Sequence, residues 1–141
     1  MATTKPQPKA QTTERPEPKT RSGHITHVTV ANGSRNLDGP MPGRGERVTL
    51  HSLPPRGVPS GAYRLDTASP AVIKGGESYV GAVVHKDDRH VFQSVGTKVV
   101  RHDLDRFDFN KVPALGETKR IDYLLGRARA HSLTRENEAE R

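Results

Sequence analysis

The 141 residues contain no cysteine and no tryptophan, and only three phenylalanines and three tyrosines. Without cysteine there are no disulfides, no thiol nucleophile and no thiolate metal site. No stretch of eighteen apolar residues occurs, which excludes a helix that spans a bilayer. The opening MATTKPQPKAQ has no apolar stretch of the kind a secretory leader needs. These absences lead us to expect a cytoplasmic protein with no membrane partner. Hydrophobic residues make up only 31% of the chain, gathered in 25–30, 47–53, 62–73, 79–100 and 112–125. A domain of about 70 residues buries only about 60% of the surface its unfolded chain exposes, so a large internal cavity is not expected and no cofactor is assigned.

The chain does have positive charge, at +7 net. Residues 1–22 carry five Lys/Arg against two Glu and so supply +3, leaving +4 for the rest. A basic surface attracts polyanions such as nucleic acid, anionic lipid or an acidic protein. The first 22 residues alternate Pro6, Pro8, Pro16 and Pro18 with Lys, Glu, Thr and Gln, and hold no large aliphatic residue after Met1. Such a segment cannot offset its ordering entropy by burial, so it reads as a disordered basic arm.

Residues 24–30, HITHVTV, are rich in β-branched side chains and predict a strand. ANGSRNLDGPMPGRGE, with its Gly, Pro and Asn, predicts a loop. ERVTLHSL at 46–53 predicts a second strand, and PPRGVPSG closes a strand-loop-strand extension spanning 23–57. The main domain is expected over 58–128. Ala62–Leu65 can open it, and YVGAVVH (79–85), HVFQSV (90–95) and KVVRH (98–102) form a meander joined by short turns. Asp103 stands where its carboxylate can cap a helical turn over 104–107. ETKRIDYLL (117–125) predicts a further strand, and residues 129–141 a polar tail. The expected fold is mainly β: a small antiparallel meander or partly open barrel with one short helical turn and disordered ends.

Two chemical readings compete with a purely structural one. His90, His102 and Asp103 could meet across a hairpin as a metal site or an acid/base group, which would make a small hydrolase. Equally, they could be rim residues spaced by the sheet. His24 and His27 lie on opposite faces of their strand and make a poor chelate. Gly96-Thr97-Lys98 lacks the spacing of a phosphate loop. A nucleic-acid face could draw on Arg101, Arg106, Lys111, Lys119, Arg120, Arg127 and Arg129, among which Phe107, Phe109 and Tyr123 are interspersed. Asp103, Asp105, Asp108 and Asp122 offset part of that charge, and the phenylalanines read as core.

One pattern is more specific. It comprises Gly61-Ala62-Tyr63, Gly81 before an aliphatic pair, His90-Val91-x-Gln93, Gly96, Val100-x-His102-Asp103, Val112-Pro113-x-x-Gly116 and Ile121-x-Tyr123. Over about residues 58–128 it resembles the KfrB-type domain of plasmid-encoded proteins. The resemblance implies a β-rich module of conjugative plasmids with no catalytic residue to carry over. Gln93, His102 and Asp103 are its polar members, either as contacts for a partner or as structural groups: His102 could bond Asp103, and Gln93 could satisfy a buried strand edge. The function expected is a non-enzymatic accessory protein that binds a transfer or partition protein of the same plasmid, or DNA. The alternatives are the hydrolase and a general nucleic-acid-binding protein.

Overall fold

The computed structural model describes residues 18–133 apart from 42, 44 and 75. Most of the Pro-rich arm and the last eight residues lie outside that range. Ten strands follow in order: β1 (His27–Ala31), β2 (Ser34–Pro40), β3 (Arg47–Leu53), β4 (Gly61–Arg64), β5 (Ser69–Pro70), β6 (Ser78–Lys86), β7 (His90–Val95), β8 (Lys98–Asp103), β9 (Thr118–Leu124) and β10 (Arg127–Ser132). Two 3-10 turns, Leu104–Arg106 and Phe109–Lys111, lie between β8 and β9. The protein is mainly β, as its alternating patterns predict.

The strands make two sheets. One has the order β3-β2-β1-β4 and the other β10-β9-β6-β7-β8-β5. The pairings are antiparallel except that β5 runs parallel to β8. The larger sheet is covered on both faces around its central strands. On one, Val84, Phe92 and Val99 pack with Ile25, Val28, Val30, Leu37, Leu53 and Leu65 of the small sheet and its loops. On the other, Val83, Val91, Ile121, Tyr123 and Ala128 pack with Phe107.

Three features depart from the sequence reading. SRNLDGP, expected as loop, is β2. Asn32 and Gly33 take positive φ of 55° and 76°, the conformation a tight two-residue hairpin needs, and Leu37 is then buried by period-two alternation. The same device recurs at Leu125 (φ 53°) and Gly126 (φ 80°), which turn the chain into β10. The polar segment from Arg127 is therefore a strand as far as Ser132, because its small inward residues Ala128 and Ala130 pair with Tyr123 and Ile121. Finally, the side chain of Asp103 makes no capping hydrogen bond to the 3-10 turn that follows it.

The extension 23–57 and the chain beyond it share a sheet, since β4 pairs with β1 from His27↔Arg64 to Val30↔Gly61. Residues 18–22 run across the β6–β7 hairpin. Thr20 is buried and shares a hydrogen bond with His85 Nε2 (3.2 Å), its carbonyl accepts from Asp88 N, and Ser22 N donates to Asp88 Oδ1 (2.8 Å).

Candidate interaction surface

β8 separates the polar residues that the sequence places side by side. His102 faces inward and is fully buried; Asp103 faces out and is exposed. His90 pairs with Asp103 across β7–β8, with His90 Nε2 3.7 Å from Asp103 Oδ1. His102 lies on the other side of the sheet, so the three candidate hydrolase residues do not converge. Among the described residues, no group of three or more His, Asp or Glu side chains is placed to hold a metal ion.

The inward pair, His102 and Gln93, belongs to a buried chain of hydrogen bonds. Gln93 Nε2 lies within 3.1 Å of the carbonyls of Tyr79, Gly81 and Lys119. Its amide nitrogen thus donates, and two protons serve three acceptors. Gln93 Oε1 must then accept, so His102 Nε2 (2.9 Å) carries the ring proton. That leaves His102 Nδ1 to accept the Tyr123 hydroxyl at 2.7 Å. Burial pushes the Tyr123 phenol above its ordinary range, with the nearby Asp103 charge adding to it, which keeps the donor protonated. Burial also holds His102 down to about 4, so the ring is neutral at pH 7. Tyr79 and Phe107 meet the ring edge-on and Tyr123 stacks on it. This network is internal to the sheet and closed to solvent. Tyr123, its third member, could have been picked out from its place on the apolar face of β9, but nothing in the sequence pairs it with His102.

The surface over this network is built differently. The β9–β10 turn is clamped to the 3-10 segment by two arginines. Arg106 Nη1 donates to Gly126 O (3.0 Å), and Arg127 donates to Asp108 Oδ1 (3.0 Å) and Asp105 O (3.2 Å). The clamp holds two large apolar side chains in water. Phe109, next to Asp108, is 92% exposed, and Leu125, within the turn, is 93% exposed. Phe92 and Phe107 are core as the composition suggests, but Phe109 is not. Beside Phe109 opens a cleft of about 780 Å³, lined by Arg89, His90, Asp103, Leu104 and Phe107 among others. Exposed apolar side chains with arginines beside them have the make-up of protein–protein contact patches.

The basic residues divide between this surface and the outer face of β9–β10. Cross-strand pairing puts Leu124 beside Arg127, Asp122 beside Arg129, and Arg120 beside His131. Asp122 pairs with both Arg129 (3.4 Å) and His131 (3.1 Å). Lys119 points to Glu117 at 3.8 Å, Lys111 sits in the second 3-10 turn, and Arg101 is half-buried on β8 opposite Phe92. The seven candidate basic residues therefore do not form one patch; Arg120, Arg127 and Arg129 do share a strand face.

Comparison with known proteins gives two matches. Residues 78–131, which span β6 to β10, match the family model described as the KfrB domain. Over 103 residues the chain is 34% identical to protein TraB of Escherichia coli, an alignment covering 72% of this chain and 68% of that relative.

Proposed function

This chain belongs to the KfrB-domain family, and on that footing we propose that it is a non-enzymatic accessory protein of a plasmid or other mobile element, acting in conjugative transfer or maintenance by binding a protein partner. The observation that carries the reading is the pair Phe109 and Leu125, each more than nine-tenths exposed and held on a clamped frame. Large apolar side chains fixed in solvent beside arginines are what a protein partner would cover. The partner proposed is a transfer or partition protein encoded with this chain. Among the described residues no helix is long and apolar enough to cross a membrane, and a cytoplasmic setting is part of the proposal.

The test is co-purification with the plasmid's own transfer and partition proteins, together with transfer frequency. We expect the double variant Phe109→Ser/Leu125→Asn to keep its fold, because both side chains lie in solvent and asparagine tolerates the left-handed backbone at 125. Partner binding should weaken roughly 30-fold or more, the scale of losing central apolar anchors. A variant that binds and transfers like the wild type would exclude this surface.

The strand face carrying Arg120, Arg127, Arg129 and His131 supports a second reading, DNA contact. If the three arginines neutralise three phosphates of a duplex, the logarithm of affinity should fall against the logarithm of salt with a slope near about −2.7, and each Arg→Ala change should lower that slope by about 0.9. No binding at about 50 mM salt, or a slope near zero, rejects it.

A further inference from the structure

The two 3-10 turns set a protruding ring beside an apolar recess. Leu104 and Phe107, from the first turn and its end, and Val112, just after the second, give the cleft of about 780 Å³ its apolar lining. Phe109 stands at the edge of the same cleft and is 92% exposed. A volume of that order accepts a drug-sized group, and so a phenyl ring. The lining carries charge of both signs, with Lys86 and Arg89 against Asp88, Asp103 and Asp105. Three of these are engaged within the chain. Lys86 Nζ donates to Pro113 O, Asp88 Oδ1 accepts from Ser22 N, and Asp103 lies 3.7 Å from His90 and 3.9 Å from Arg106. Arg89 and Asp105 differ: both are exposed, and neither side chain has a partner among the described residues.

One patch therefore holds a knob, a hole, a free cation and a free carboxylate. A nucleic acid would bring its phosphates against three aspartates, and a partner of one charge sign would answer Arg89 or Asp105 but not both. A second copy of the chain answers every feature, because it offers the same knob, hole and charges in return. We propose that this surface is self-complementary. Where no other partner covers it, two copies dock about a two-fold axis, each Phe109 entering the other's cleft and each Arg89 facing the other's Asp105. Because knob and hole belong to one patch, the contact closes at two copies and does not run on as a filament. Each covered phenylalanine removes about 150–250 Å² of its surface from water, which supplies the drive, while the paired charges fix the register. The inference rests on the reading of this surface as a protein contact and adds its regulation: a transfer or partition protein must displace the second copy.

The test is sedimentation of the full chain alone from about 1 to about 200 μM, a range that covers micromolar dissociation constants. All the substituted side chains are exposed, and far-UV circular dichroism checks that each variant keeps the wild-type fold. Wild type should pass from monomer to dimer across the range, with nothing larger. Phe109→Ser should raise the dissociation constant about 30-fold or more. Arg89→Glu and Asp105→Arg should each raise it about tenfold, since each sets like charges together twice in the dimer. Arg89→Glu/Asp105→Arg in one chain restores opposite pairs and should return it to within about threefold of wild type. A wild type that stays monomeric throughout, a Phe109→Ser dimer as tight as wild type, or a double swap no tighter than the single variants overturns the proposal. The two readings of the surface fail separately. A monomeric wild type that still loses its transfer or partition protein on Phe109→Ser/Leu125→Asn sinks the dimer and keeps the partner. A dimer broken by Phe109→Ser, with capture of that partner unchanged, does the reverse.

Discussion

Replacing Gly81 with alanine is expected to cost at least about 4 kcal/mol of stability, the range reserved for a steric conflict that the backbone cannot relieve. The reason lies in how β6 is shared. Its first half, Ser78–Ala82, pairs with β9, and from Ala82 onward it pairs with β7. At the hand-over the chain runs so close to β7 that a Cβ on Gly81 would overlap the Ser94 carbonyl oxygen. A flexible side chain could swing away, but a strand carbonyl can move only with its strand. Displacing β7 would also pull Gln93 from the carbonyls of Tyr79, Gly81 and Lys119, and so loosen its hold on His102. Gly96→Ala is the control. Gly96 sits in the β7–β8 turn at φ 62° with open space around it, so alanine there meets only the left-handed strain of about 1 kcal/mol. Urea unfolding followed by far-UV circular dichroism suits a chain without tryptophan. Gly81→Ala and Gly96→Ala unfolding at the same urea concentration would refute this account of the strand crossing.

Gly81 also shows what a sequence does and does not disclose. The apolar alternation of YVGAVVH and HVFQSV is enough to predict adjacent strands, and the turn at Gly96 sets the pairing of HVFQSV with KVVRHD from His90↔Asp103 to Val95↔Lys98. β2 and β10 were hidden because their residues are polar or turn-forming. Their strand character comes from the positive-φ hairpins at Asn32-Gly33 and Leu125-Gly126 and from neighbours that only the fold supplies. For the site, side-chain type was legible and direction was not. His102 and Asp103 are adjacent in sequence, yet period two sends one to the core and the other to water. The scarcity of aromatics predicts Phe109 in the core, but it lies in a 3-10 turn whose residues are all unburied. Arg35 lies in a segment whose Gly, Pro and Asn predict a loop, and only the register of β2 turns it inward.

Acid should destabilise the protein through two buried histidines. His102 and His85 are both buried and both held down to about 4, His102 by loss of solvent and His85 by loss of solvent first and the Arg35 charge second. In the unfolded chain each titrates near its ordinary 6.5. Between those limits the unfolded chain binds protons that the folded one refuses, so stability is full above about 6.5 and falls as the pH drops toward 4. A histidine displaced that far contributes about 3 kcal/mol across the window, and two of them contribute about 6, against a total of about 5–15 kcal/mol for a domain. Urea midpoints taken from pH 7.5 down to 4.5 should therefore fall steeply. A second ring proton at His102 Nδ1 would turn the Tyr123 hydroxyl from donor to acceptor and cost its own proton the bond it makes there. His102→Gln should start lower at pH 7.5, by about 1–3 kcal/mol, because Tyr123 or Gln93 loses its buried partner. Its decline with acid should nevertheless be about half as steep, since one of the two titrating groups is gone. His85→Gln should flatten the decline by a similar share, and the double variant should hold a nearly constant midpoint over the window. A wild-type midpoint unchanged from pH 7.5 to 4.5, or single variants that decline in parallel with it, would show that neither ring is kept neutral by the fold.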